Sequence, residues 1–225
     1  MSNIAGKAYA INVLTPMPPR RTWIQNTLFM VARVVPKQLS GLLGLKLIHF
    51  ARWVIIRRNQ WPDPAGHDQQ NLDNDYMLFL SNFNGTWDQY IDAFADGIPS
   101  GLDLFWYAST KYPHSIPIST FKTYIAANQI QTNYYYNATP GAAQRDIKAA
   151  LRVRSELLKL ADIHGQGDAA TFARAYRNAL TKLSNSLASP GYAPIASVAT
   201  QNADVARNEF IKNLAAKHEA QNAQP

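Results

Sequence analysis

Seven side chains between positions 49 and 88 are of types that could hold or act on a small molecule: His49, Arg52, Trp53, Asn82, Asn84, Trp87 and Asp88. Arg52 stands inside the apolar run "IHFARWVII", where a guanidinium needs a carboxylate or an anionic ligand to offset its desolvation. Asp88 or Asp92 in "TWDQYIDAF" is the commoner kind of partner; a bound carboxylate or peroxide is the alternative. His49 shares a strand face with Trp53, as a core or rim histidine or as an acid, base or haem ligand. Asn82 and Asn84 follow the run "YMLFL" and could satisfy turn backbone groups or orient an apolar ligand. Tyr134, Tyr135 and Tyr136 bring further aromatic rings, for which sheet packing is the simpler role. The histidines at 49, 67, 114, 164 and 218 show no close ligand spacing, and the chain has no cysteine. Thiolate chemistry and disulfides are thereby excluded, and a dedicated metal site is not expected. No P-loop, GxGxxG or GxSxG pattern supports a nucleotide or hydrolase reading, and no catalytic residue is assigned.

These residues need elements to place them. "KAYAINVL" (7–14) is β-prone, and "TPMPPRR" stops it and leads into a helix from Thr22 to about Val35. Trp23, Leu28, Met30 and Val31 supply that helix with an apolar side, and "LSGLLGLKL" (39–47) is a candidate short helix. "IHFARWVIIRR" (48–58) alternates so that His49, Ala51, Trp53 and Ile55 face one way and Phe50, Arg52, Val54 and Ile56 the other. A long polar loop (59–75) precedes the strand "YMLFLSNF". Gly85 then permits a sharp turn, Thr86 and Gln89 form a capping box, and Asp88 meets the helix dipole. Trp87, Tyr90, Ile91 and Phe94 give the next helix its buried stripe, and "LDLFWYAST" (102–110) reads as a fourth strand.

The fold class is α+β: a ferredoxin-like βαββαβ antiparallel sheet with an additional strand (129–139) and C-terminal helices. Helices are expected at 118–128, 141–163, 168–187 and 202–220. Two units follow, a ferredoxin-like domain over 1–140 and a helical extension over 141–225 packed on it. One sheet face is left for the rest of the chain or a second subunit to cover.

Charge is segregated along the 225 residues. Residues 1–60 carry nine Lys or Arg and no acid, and 61–110 carry eight Asp and no base. The bulk of this is expected from a basic first helix lying beside an acidic second one. Arg20, Arg21, Trp23 and Arg33 also suit a contact with an anionic membrane surface or a partner protein, although a core-packing helix with solvated arginines uses the same letters. Nucleic acid has only charge in its favour. The apolar runs fall short of the about 20 residues that cross a bilayer, and the N-terminus lacks a secretory signal pattern. The expected location is the cytoplasm, with peripheral membrane attachment as an extension of it.

"IHFARWVI", "YMLFLSNFNGTWDQYIDAF", "LDLFWYASTKYP" and "FKTYIAANQIQTNYYYNATPG", followed by "DIKAALRVRSEL", together resemble a bacterial family of ferredoxin-like, dimeric α+β barrel-like proteins associated with catalase-type and dye-decolourising-type peroxidase modules. The resemblance covers roughly residues 45–160 and transfers no catalytic residue. It implies homo-oligomers formed through the open sheet face and a peroxidase or catalase-type partner. It also implies an oxidative pathway with an apolar or peroxidic small molecule as ligand, and haem as a cofactor to test for. The function expected first is therefore a small-molecule-binding protein of such a pathway; the alternative is a non-catalytic subunit that docks a partner or an anionic membrane.

Overall fold

A computed structural model describes residues 3–34, 47–61, 72–165, 167–187 and 198–222. Its centre is an antiparallel sheet. β2 (Ala8–Met17) lies between β4 (Asp75–Asn84) on one edge and, on the other, β1 (Ile4–Ala5) and β5 (Gln129–Ile130), which pair with different parts of it. β3 (Ile48–Ile56) is paired outside β4. The order β5-β2-β4-β3 is the fourth, first, third and second strand of a βαββαβ unit, in agreement with the α+β class read from the sequence.

The strands follow a period of two. In β2 and β4, Tyr9, Ile11, Val13, Met17, Met77, Phe79 and Phe83 are buried on one face, whereas Asn12, Leu14, Leu78 and Leu80 are half-buried on the other. β3 obeys the expected alternation, with Ala51, Trp53 and Ile55 packed on the core and Phe50, Arg52 and Val54 exposed. β2 runs past the expected stop at Leu14. Pro16 and Met17 still pair with β4, and Pro16 sits beyond the stretch paired with β5, so its missing N–H breaks no ladder bond.

Helices α1 (Thr22–Val34), α2 (Trp87–Gly97), α3 (Pro99–Trp106) and α4 (Ile118–Ala127) serve the inner sheet face. The capping box of α2 forms as read: Thr86 Oγ1 accepts from Gln89 N and Gln89 Oε1 from Thr86 N, each at 3.2 Å, behind Gly85 at φ 101°. Trp87, Tyr90, Ile91 and Phe94 are its buried stripe. The expected strand over 102–110 is instead helix α3. Pro99 opens that helix, and Leu102, Phe105 and Trp106 are buried at the i, i+3, i+4 spacing of one helical face. Trp53 stacks on Phe105 and meets Phe79 and Trp106, so the core is an aromatic layer between sheet and helices.

The expected strand over 129–139 shrinks to Gln129–Ile130; Tyr134 and Tyr136 are exposed. The C-terminal half is α5 (Gln144–His164), α6 (Ala169–Leu187) and α7 (Val198–Asn222), close to the bounds read from the sequence. Asp168 caps α6 by accepting from Thr171 N at 2.6 Å. Nearly all of the expected helix over 39–47, and the middle of the 59–75 loop, lie outside the described residues. No described helix is long and apolar enough to cross a membrane.

Candidate functional site

The seven residues proposed for a small molecule occupy three places. Arg52 and Asn82 belong to the outer sheet face, where Arg52 pairs in register with Leu80 and Asn82 donates to the Tyr135 hydroxyl. The expected ion pair between Arg52 and Asp88 or Asp92 is absent. Strand alternation turns Arg52 outward, away from the face on which α2 packs, and exposure in water removes its need for a buried counter-charge.

Trp53 lies in the aromatic core, while His49 sits at an irregularity of β3 that shifts the register between Ile48 and Phe50. Burial holds the His49 pKa below its ordinary value, partly opposed by a hydrogen bond with Asn84. Asn84 is a structural hub: Nδ2 donates to Lys7 O at 2.7 Å, and Oδ1 accepts from Gln144 N, the first residue of α5, at 2.9 Å. The turn-satisfying role weighed for the two asparagines therefore applies to Asn84.

Trp87 and Asp88 form the third place. The Trp87 indole donates to Gln129 Oε1 at 2.7 Å and lies under the Arg207 guanidinium, 4.5 Å from its ring centre. Asp88 takes Arg207 at 2.6 Å and Lys122 at 3.1 Å, and Lys122 also reaches Asp92 at 2.7 Å. The bases that answer the acids of α2 thus come from α4 and α7, not from α1 as expected, because α3 contacts both α1 and α2. Burial alone would raise the Asp88 pKa, but the hydrogen bonds from Arg207 and Lys122 outweigh it and hold it below the ordinary value. A carboxyl whose folded pKa is depressed adds stability above its unfolded value, near 3.9, and loses it as pH falls through the folded value. Asp88→Asn is therefore expected to cost about 1 kcal/mol or less at pH 7, as for half-exposed ion pairs. The difference from the parent should fade in urea unfolding as pH falls through the folded value; a difference that persists once the carboxyl is protonated would remove the ion pairs as its cause.

The seven side chains thus lie on the outer sheet face, in and beside the inner core, and at the contact of α2 with α7. Among the described residues, no three His, Asp or Glu side chains cluster as a metal ion would require.

The side of α1 opposite the core is different. Trp23, Leu28, Met30 and Val31 were expected to pack inward, but Trp23 is 67% exposed, Met30 65% and Val34 80%. The inward residues are Thr22, Gln25, Ala32 and Phe29. Thr22 donates to Asp75. Gln25 Nε2 donates to Leu104 O at 3.4 Å and its Oε1 accepts from Ala108 N at 3.3 Å, so these polar side chains satisfy groups at the sheet end and around α3. Trp23, Thr27, Met30, Val31 and Val34 then share the outward side at spacings of three and four.

Asp75 also accepts from Arg58 N at 2.8 Å, which ties the end of β3 to the start of α1. Exposed Arg57 and Arg58 therefore join exposed Arg20 and Arg21 at one corner, and exposed Arg33 stands at the other end of the helix. Arg57 and Arg58 were not singled out from the sequence. Their run at the end of a strand was visible, but their proximity to Arg20 depends on Asp75, 17 residues from Arg58. The chain matches no protein-family model, no curated protein and no solved structure.

Proposed function

We propose that the protein works at the surface of an anionic membrane, which it meets through α1. The observation that carries this reading is the outward apolar row of α1, Trp23, Met30, Val31 and Val34, with arginines at both ends. A helix of this kind lies in the headgroup plane with its apolar row in the acyl boundary and its cations among anionic lipids. Each arginine near such a surface contributes about 1 kcal/mol, and an apolar side chain that leaves water completely about 1.5–3 kcal/mol. The combination gives reversible attachment without a spanning segment. A small-molecule site has less support, since of its seven residues Asn82, Asn84, Trp87 and Asp88 already have protein partners.

Flotation with vesicles of phosphatidylcholine alone, or with about 30% phosphatidylserine, tests it. The protein should float with the anionic vesicles and be released by high salt, because exposed charges are screened beyond about 3 Å at 1 M. Neutralising Arg20, Arg21, Arg57 and Arg58 to alanine should lower the vesicle partition coefficient at least about tenfold, the equivalent of about 1.4 kcal/mol. Flotation that ignores lipid charge, or that survives this substitution unchanged, would refute membrane docking through this corner.

A further inference from the structure

The exposed arginines around α1 are unevenly placed. Arg20 and Arg21 end the turn Pro19–Arg21 that leads into the helix, Arg57 and Arg58 follow β3 at the same corner, and Arg33 stands in the last turn of α1. One buried carboxylate ties the first four together. Asp75 accepts from the hydroxyl of Thr22, next to Arg21, and from Arg58 N at 2.8 Å. The turn after β3 is closed by Gln60, whose Oε1 accepts from Arg57 N at 3.2 Å and whose N donates to Arg57 O at 2.9 Å. Arg21 N donates to Pro18 O at 2.9 Å and closes the other turn. The backbone under the four arginines is therefore braced before any ligand arrives, and a ligand has mainly side-chain freedom to take away.

The fold itself gains nothing from this crowding. A helix dipole disfavours bases at its N-terminus, α1 has no acid in its first turn, and like charges at one corner repel. Among the described residues, every ion pair lies elsewhere. Of the described acids next in chain, Asp75 is engaged by Thr22 and Arg58 N, and exposed Asp73 stands two residues before it. Four guanidinium groups thus stand against two carboxylates, one of them already engaged.

This arrangement distinguishes two kinds of anionic lipid. Singly charged headgroups spread their charge over the bilayer plane and suit bases spread along the margins of an apolar row. A phosphomonoester gathers a charge of about −1.5 to −2 and three acceptor oxygens around one phosphorus, and suits several guanidinium forks that meet at one place. We infer that the corner of Arg20, Arg21, Arg57 and Arg58 binds the phosphomonoester headgroup of a membrane lipid, while the apolar row of α1 enters the acyl boundary beside it. The inference rests on the membrane reading and names the lipid chemistry that the same surface selects. Arg33 lies about 18 Å along the helix from Arg21, too far to share that headgroup, and contributes charge alone.

Partition of the full chain into three kinds of vesicle tests it: phosphatidylcholine alone, phosphatidylcholine with phosphatidylserine, and phosphatidylcholine with phosphatidic acid at the fraction that gives the same zeta potential. At that matched charge, phosphatidic acid should bind at least about tenfold more tightly than phosphatidylserine, the equivalent of one additional charge-assisted hydrogen bond. Arg57→Ala with Arg58→Ala should erase the preference and leave weaker binding, equal on both anionic vesicles. Arg33→Ala should lower both to the same degree and keep the preference. Circular dichroism should match the parent in each variant, since these side chains are exposed. Glycerol 3-phosphate, the same headgroup without acyl chains, should displace the protein only far above the concentration of accessible lipid, because it offers nothing to Trp23 and Met30. Equal partition into the two anionic vesicles overturns the inference and leaves the membrane reading standing, whereas no partition into either overturns both. A preference that survives the loss of Arg57 and Arg58, or that disappears with Arg33 instead, also overturns it. So does displacement by glycerol 3-phosphate at the lipid's own concentration, which would make the ligand a soluble phosphate.

Discussion

Replacing Trp87 by alanine is expected to lower the unfolding free energy by about 4–8 kcal/mol, the largest effect of any single substitution considered. Truncating a buried Trp costs about 3–5 kcal/mol through lost transfer energy and the cavity left behind. Here the ring is fully buried. Its Nε1 donates to Gln129 Oε1, itself buried, so the variant also strands a polar side chain, which adds about 1–3 kcal/mol. Arg207 loses the ring beneath its guanidinium as well, and with it one contact between α7 and the body. Urea unfolding followed by circular dichroism measures the loss. Trp87→Phe should recover most of the packing and leave the hydrogen-bond part. A total loss below about 2 kcal/mol for the alanine variant would mean that the indole is not a core residue, since core truncations of large side chains seldom cost less.

The contrast between α2 and α3 shows which local structure the sequence makes legible. In α2, the turn glycine, the capping pair and a buried stripe of period 3.6 agree with one another, and the helix forms as read. "LDLFWYAST" holds three aromatics and few polar residues, so its apolar letters fit a buried strand and a buried helix equally. Pro99 at the helix start was the discriminating letter. The inverted orientation of α1 has another origin. Periodicity finds two sides of a helix but does not say which one the core takes, and here Thr22 and Gln25 turn inward to satisfy Asp75, Leu104 O and Ala108 N. The outer aspect of α1 thus becomes an apolar row that the core never claimed.

The candidate site was legible residue by residue but not as an assembly. Arg52 was singled out as a guanidinium in need of a buried partner, and it is exposed instead. Strand alternation then separated Arg52 from Trp53, and α7, more than 100 residues away in sequence, supplied Arg207 to both Asp88 and Trp87. Contacts of that sequence separation leave no local signal.

Asn84 decides whether α5 is held at its root. Asn84→Ala is expected to cost about 2–4 kcal/mol, because it leaves two part-buried backbone groups without their partners, Lys7 O and Gln144 N, each worth about 1–2 kcal/mol, the lower part of the range for a buried unpaired group. One of these is the first N–H of α5, so the loss falls where that helix joins the sheet, beside the Lys7–Asp146 ion pair at 3.2 Å. Asn84→Asp should recover about half of the loss. A carboxylate still accepts from Gln144 N and suits the start of a helix, but it cannot donate to Lys7 O. His49 supplies an independent readout: burial already lowers its pKa and the hydrogen bond with Asn84 opposes that, so the alanine variant should move its NMR titration further down. A side chain present only to orient a ligand would show the reverse pattern. Its removal would leave both urea stability and the His49 titration where they were, and that result would return Asn84 from the hub of the fold to the list of binding residues.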